Sequence, residues 1–189
     1  MTITSNTIVN QAIQMIGDNQ PAVTGEAPTF DDSAAGVALQ SLYTPCVQTV
    51  ARQWGWDFAR NTVTLTLSPN AAPYPWTYEY VYPTNGVDVW TLMPSSEDDS
   101  NNPSPTNWNP ANAVVNGTQQ RVIHTNVQSA KAVFNNAPGP EAWDALFREA
   151  VVRLLASELA MAIGGAPETS KMMQDSAMGF VNIGKTREG

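Results

Sequence analysis

Glu79 and His124 are the residues from which a chemical reading of this 189-residue chain has to start. His124 is its only histidine. A nucleophile–base–acid triad with a spare base, or a metal site built on two histidines, is therefore out of reach. Its place near a strand edge predicts a surface or half-buried imidazole. Glu79 stands amid Trp76, Tyr78, Tyr80 and Tyr82, the kind of aromatic setting that binds sugar rings beside a catalytic carboxylate. Glycoside cleavage needs two carboxyl groups about 5–10 Å apart. Strand alternation turns Glu79 away from those aromatics. A sheet core or protein interface is the better account of this segment, and carbohydrate binding or glycan cleavage is the alternative function.

Three further groups invite chemistry. Glu97-Asp98-Asp99 offers oxygen ligands but lacks the alternating spacing and glycine of a calcium loop, so it reads as a solvated acidic centre. Cys46 is the sole cysteine, which excludes an intramolecular disulfide and a cysteine-cluster metal site. It lies on the apolar side of a helix, where a small buried thiol is expected. Gly164-Gly165 closes a helix instead of opening one, so it is no phosphate loop. No catalytic residue, metal or cofactor is expected. With Lys+Arg 9 against Asp+Glu 17 the chain carries −8, and it has no basic run with which to grip phosphates. Only 14% of residues are charged, against the usual quarter or so, which suits a surface partly hidden in an assembly. No signal peptide and no membrane span are expected.

The elements that position these groups follow from periodicity. Ser5 is expected to cap a helix over residues 6–16 that Gly17 ends. A second helix runs from Asp31 to Trp54, with Ala35, Leu39, Tyr43, Val47 and Val50 on one face. Asp31 or Asp32 would cap it, Pro45 would kink or split it, and Gly55 would close it. Trp54, Trp56 and Phe58 form an aromatic corner that reads as core. Val63, Leu65 and Leu67 then alternate with threonines as a strand with one buried face. Trp76–Tyr82 is a strand stopped by Pro83, and Val87–Leu92 is its return across Thr84-Asn85-Gly86. Pro94–Asn112 reads as a mobile polar tract. Asn116-Gly117 signals a hairpin, and Ala130–Phe134 is a last strand.

Pro140 would start the longest helix, with an apolar face from Trp143 to Ile163 and Gly164-Gly165 at its end, and with Asp144–Arg148 and Glu149–Arg153 as i,i+4 pairs. Pro167 would open another, with Met172, Met173, Ala177, Phe180 and Val181 inward, before a polar tail from Lys185. The expected class is α+β. Residues 1–60 and 138–189 make a discontinuous helical bundle, and 61–137 an inserted small antiparallel β region with a mobile loop at about 94–112.

Several of these segments together resemble the tail tubular protein A family, the head-to-tail adaptors of short-tailed bacteriophages. The resemblance rests on Leu42-Tyr43 with Pro45, on the Trp56-Asp57-Phe58-Ala59 corner (Asp where Asn is common), and on Tyr78-x-Tyr80-x-x-Pro83. It rests also on the Gly165-Ala166-Pro167-Glu168 break after a Leu/Ala-rich helix, and on Gly17-Asp18 followed by Pro21-Ala22-Val23. It implies a non-enzymatic virion protein: a ring, commonly dodecameric, between the portal protein and the tail nozzle or tail tube protein. DNA would pass through its channel without specific binding, and no membrane would be involved. The protein would sit in the virion neck, after assembly in the host cytoplasm. Glu97, Asp98, Asp99 and Trp108 in the polar tract, and Lys185 and Arg187 in the tail, are the partner contacts expected on this reading.

Overall fold

A computed structural model describes residues 2–17, 22–98, 104, 106–164 and 166–188, with side chains omitted at 187 and 188. The fold is α+β. The chain forms two compact units, Met1–Ala59 with Ala137–Gly189, and Arg60–Asn136. Asp18, Pro21, Asp99, Gly165 and the side chain of Arg187, all named above, lie outside the described residues.

The first unit holds helices α1 (Ser5–Met15), α2 (Ala34–Gln53), α3 (Ala145–Ala162) and α4 (Pro167–Glu188), with a short ribbon β1 (Gly25–Glu26) and β2 (Thr29–Phe30). The α1 cap is Thr4, not Ser5. Ser5 is the first helical residue, and its hydroxyl donates to Glu26 while accepting from the Ala27 amide at 2.8 Å. Glu26 also takes the Asn6 amide at 3.0 Å. A carboxylate from the ribbon thus serves the positive end of α1. Gly17 ends the helix with φ +69°, as expected.

Helix α2 is capped by Ser33, whose hydroxyl accepts from the Gly36 amide. Asp31 supports that cap by accepting from the Ser33 amide at 3.1 Å and from the Thr24 amide. Hydrogen bonds from Ser33 and Thr24 hold its carboxyl down to about 2. Pro45 does not split the helix, which runs unbroken through it. Pro45 and Ser41 both lie on the exposed side of the helix, where solvent can partner the carbonyl that proline leaves without an amide. Gly55 is not a left-handed cap: the chain leaves the helix through an extended Trp54.

That exit drives Trp56 into the centre of the unit. Its ring is fully buried, its Nε1–H donates to the Val50 carbonyl at 3.1 Å, and it meets Phe147 of α3 edge-on at 5.2 Å. Phe58 and Trp143 pack on the same Phe147 at 5.0 Å each. The corner is core, as read. Burial pushes the Cys46 thiol up to about 12 and raises the Tyr43 phenol far above its ordinary range.

Helix α3 starts later than the proline suggests. Pro140–Ala142 is a single 3₁₀ turn, and Asp144 caps α3 by accepting from the Leu146 amide at 2.8 Å. Asp144 is thereby engaged as a cap, while Glu149 and Arg153 do pair. The longest helix is α4, because the residues taken for a polar tail continue it to Glu188. Ala177 and Val181 point inward, but Met172 is 58% exposed.

The second unit is two antiparallel three-stranded sheets. One has the order β3 (Arg60–Thr64), β8 (Lys131–Asn135), β5 (Asp88–Met93); the other β4 (Tyr78–Val81), β7 (Thr118–Thr125), β6 (Trp108–Val115). Strand β3 extends past its sheet. Leu65 donates to the Ala130 carbonyl, then Thr66–Ser68 runs along β4, with Val81 N–H to Thr66 and Ser68 N–H to Glu79. Leu65 alone of the expected inner row is buried, since Val63 and Leu67 are exposed. The row fails because the segment leaves one sheet for the other at Leu65.

Strand β5 is not the return partner of β4. The Pro83–Gly86 turn exists, but it hands the chain to the other sheet, where β5 pairs β8. The core lies between the sheets: Leu65, Tyr80, Tyr82, Val89, Leu92, Ile123, Ala130, Ala132 and Phe134. The polar tract is shorter than read, because β6 begins at Trp108.

Glycine 184 of α4 shows how tightly Trp56 is held. A Cβ there would lie 2.8 Å from the indole ring, whereas one at Gly179 would meet nothing within 4 Å. Gly184→Ala should therefore destabilise the protein by about 1–3 kcal/mol despite alanine's better helix propensity. Gly179→Ala should stabilise it by about 0.5–1 kcal/mol. Urea denaturation of the two variants checks both signs.

Candidate functional site

The densest buried polar arrangement described lies on β4 and β7. The sheet register sets Glu79 directly opposite His124. Glu79 is 4% accessible, in keeping with a sheet-core segment, whereas His124, expected at the surface or half-buried, is only 7% accessible. The reason is topological. Strand β7 is the central strand of its sheet, so His124 has a neighbour on each side, and the Ser68–Asn70 segment brings hydroxyl and amide donors to the Glu79 carboxylate.

Glu79 Oε1 accepts from Ser68 Oγ at 2.7 Å and from Asn70 Nδ2 at 3.0 Å, and Oε2 meets His124 Nε2 at 2.9 Å. An ionised carboxylate only accepts, so Nε2 carries the proton of that bond. Burial alone would raise the Glu79 carboxyl. The bonds from Ser68, His124 and Asn70, with the electrostatic attraction of the neighbouring imidazole, outweigh it and hold the group below its ordinary value. Asn70 extends the cluster, since its Nδ2 also donates to the Val114 carbonyl at 3.0 Å. A general acid in glycoside cleavage needs a raised carboxyl; this one is lowered, and both its oxygens are engaged internally.

The acidic centre is tethered. Lys131 Nζ donates to the Glu97 carbonyl at 2.9 Å and pairs with Asp98 at 2.7 Å. Glu97 Oε2 takes the Ser104 amide at 3.0 Å. Hydrogen bonds lower both carboxyls. Asp98 remains 93% exposed. Trp108 is half-buried against the β core, so much of its ring serves packing. Lys185 lies half-buried within α4.

The motif residues occupy structural positions. Tyr43 packs edge-on to Phe30 at 5.8 Å. Pro45 is exposed within α2, and Ala59 is buried at the end of the corner. Tyr80 donates its hydroxyl to the Val127 carbonyl, Pro83 opens the turn, and Pro167 is the first residue of α4. Ser68 and Asn70 were invisible to sequence reasoning. The alternation that marks Ser68 as polar says nothing of the strand it will lie beside.

No described group of three or more His, Cys, Asp or Glu could hold a metal ion, and no described helix is long and apolar enough to cross a membrane. No protein-family model matches the chain, and no curated protein sequence matches it significantly.

Glu79→Gln should cost about 1–3 kcal/mol, the penalty for disturbing a buried hydrogen-bonded group. The folded carboxyl is depressed, so its stabilisation is present above the unfolded value near 4.5 and is lost as pH falls through the lower folded one. The stability gap between wild type and variant should thus be widest near neutrality and close in acid. Chemical denaturation at several pH values measures it.

Proposed function

We propose that the protein is a structural head-to-tail adaptor of the tail tubular protein A type, forming a ring between a portal protein and a tail nozzle or tail tube protein. The observation that carries this reading is the build of the helical unit. Both ends of the chain supply its helices, the β unit is inserted between them, and the Trp56–Ala59 corner that carries the resemblance supplies its aromatic core. Such a corner suits a bundle whose outer faces pack against neighbours.

Two further features suit a ring. Helix α4 leaves Met172 and Ile183 exposed on one flank, eleven positions and so about three turns apart, an apolar strip that an adjacent copy would cover. The charge of −8 suits a channel along which DNA slides without sticking. Mechanism here is geometry: a rigid helical unit repeated around an axis, with the tethered acidic turn at Glu97-Asp98 available to a partner. On this reading the protein is no enzyme. The carbohydrate reading loses its carboxylate, because Glu79 is saturated within the fold.

Native mass, by light scattering or mass spectrometry, of the protein alone and mixed with a candidate portal ring tests the proposal. A stoichiometric ring on the portal is the expected result. A protein that ignores the portal and forms no ring alone would overturn it. Met172→Lys with Ile183→Lys should abolish ring formation while leaving circular dichroism unchanged, since both side chains are exposed.

A further inference from the structure

Strand β6 is the outer strand of its sheet, with β7 on one side and no described strand on the other. Its turn fixes which backbone groups face outward. Asn116 and Gly117 form a two-residue loop with φ of 52° and 80°. Val115 and Thr118, flanking it, therefore exchange both hydrogen bonds. Alternation then aims Ala113, Ala111 and Asn109 at β7, and turns Val114, Asn112, Pro110 and Trp108 to the open edge. Two side-chain bonds agree. Thr125 of β7 donates to the Asn107 carbonyl at 2.9 Å on the inner side. Asn70 donates to the Val114 carbonyl at 3.0 Å on the outer side.

A long edge with Asn109, Pro110, Asn112 and Val114 exposed is a template for another strand. Two devices blunt it, both on outward positions. Pro110 removes an N–H there without costing the ladder a bond. Asn70, held by Glu79, covers a carbonyl.

We propose that Asn70 is an edge guard, clamped on Glu79 so that it blocks β6 from pairing with β6 of a second copy. The second copy is the occupant because the edge is self-complementary in one antiparallel register. Centred on Asn112, that residue exchanges both bonds with its counterpart, and the Val114 N–H meets the Pro110 carbonyl. The Val114 carbonyl then faces the proline that has no N–H to offer. That is the carbonyl Asn70 occupies, and its amide stands where the incoming proline ring would lie. The inference is independent of the adaptor reading, since it concerns the full chain without any portal.

The test is light scattering of Asn70→Ala, Asn70→Ala with Asn112→Pro, and wild type across a concentration series. Asn112 directs its N–H outward, so proline there removes an edge donor and no ladder bond. The expected result is that N70A at least doubles its average mass over wild type as concentration rises, and that adding N112P returns it to the wild-type value. Two results would overturn the proposal: N70A matching wild type throughout, or association that N112P leaves untouched. If N70A loses its near-UV circular dichroism, Asn70→Ser replaces it in the same comparison. Serine keeps a donor for Glu79 but is too short to reach Val114 as well.

Discussion

The helical unit depends on the burial of Trp56. The indole sits where the exit of α2 meets α3 and α4, with Val50, Phe147 and Gly184 around it. A side chain of this size removes a large apolar area from water, and its one polar atom must find a partner when it does so. The Val50 carbonyl is that partner, freed because α2 stops within one turn of it. The end of one helix and the burial of the tryptophan are therefore a single event. The absence of a Cβ at Gly184 lets α4 lie directly on the ring, which ties the last helix of the chain to a corner more than a hundred positions earlier.

The β unit is organised by a different constraint, a strand that serves two sheets. Arg60–Thr64 pairs with β8, and the continuation Thr66–Ser68 pairs with β4. The crossing point, Leu65, is the residue of that stretch which enters the core. This crossing also delivers Ser68 and Asn70 to Glu79. A buried carboxylate is tolerable only when its lone pairs are satisfied, and here three donors meet it. The cluster is thus a consequence of the topology and, through Asn70, reaches the rim of the sheet.

These two constraints bear on function in the same direction. The polar groups that looked chemical are engaged in holding the fold, and helix α4 carries three of the exposed large apolar side chains. An acidic, sparsely charged protein built so is compatible with the packing among copies that the proposed adaptor role requires.

Much of this was legible in the sequence by itself. The helical positions of Leu39, Tyr43, Val47 and Val50, the Asn116-Gly117 hairpin, the proline start of α4 and the core role of the aromatic corner all follow from local pattern, because spacing and turn chemistry act over a few residues. The same locality explains what was not legible. Alternation placed Glu79 on the opposite side from its aromatic neighbours but could not say that this side is covered as well. The strand-like runs at Val87 and Ala130 were recognisable, whereas their pairing with each other, and not with β4, was decided by which sheet could bury Val89 and Phe134. The polarity of Lys185–Glu188 suggested a tail, yet helix α4 continues through it after packing Gly184 on Trp56. Local sequence determined the elements; long-range packing and the satisfaction of buried polar groups decided their partners, because those terms depend on residues the chain brings together only once it has folded.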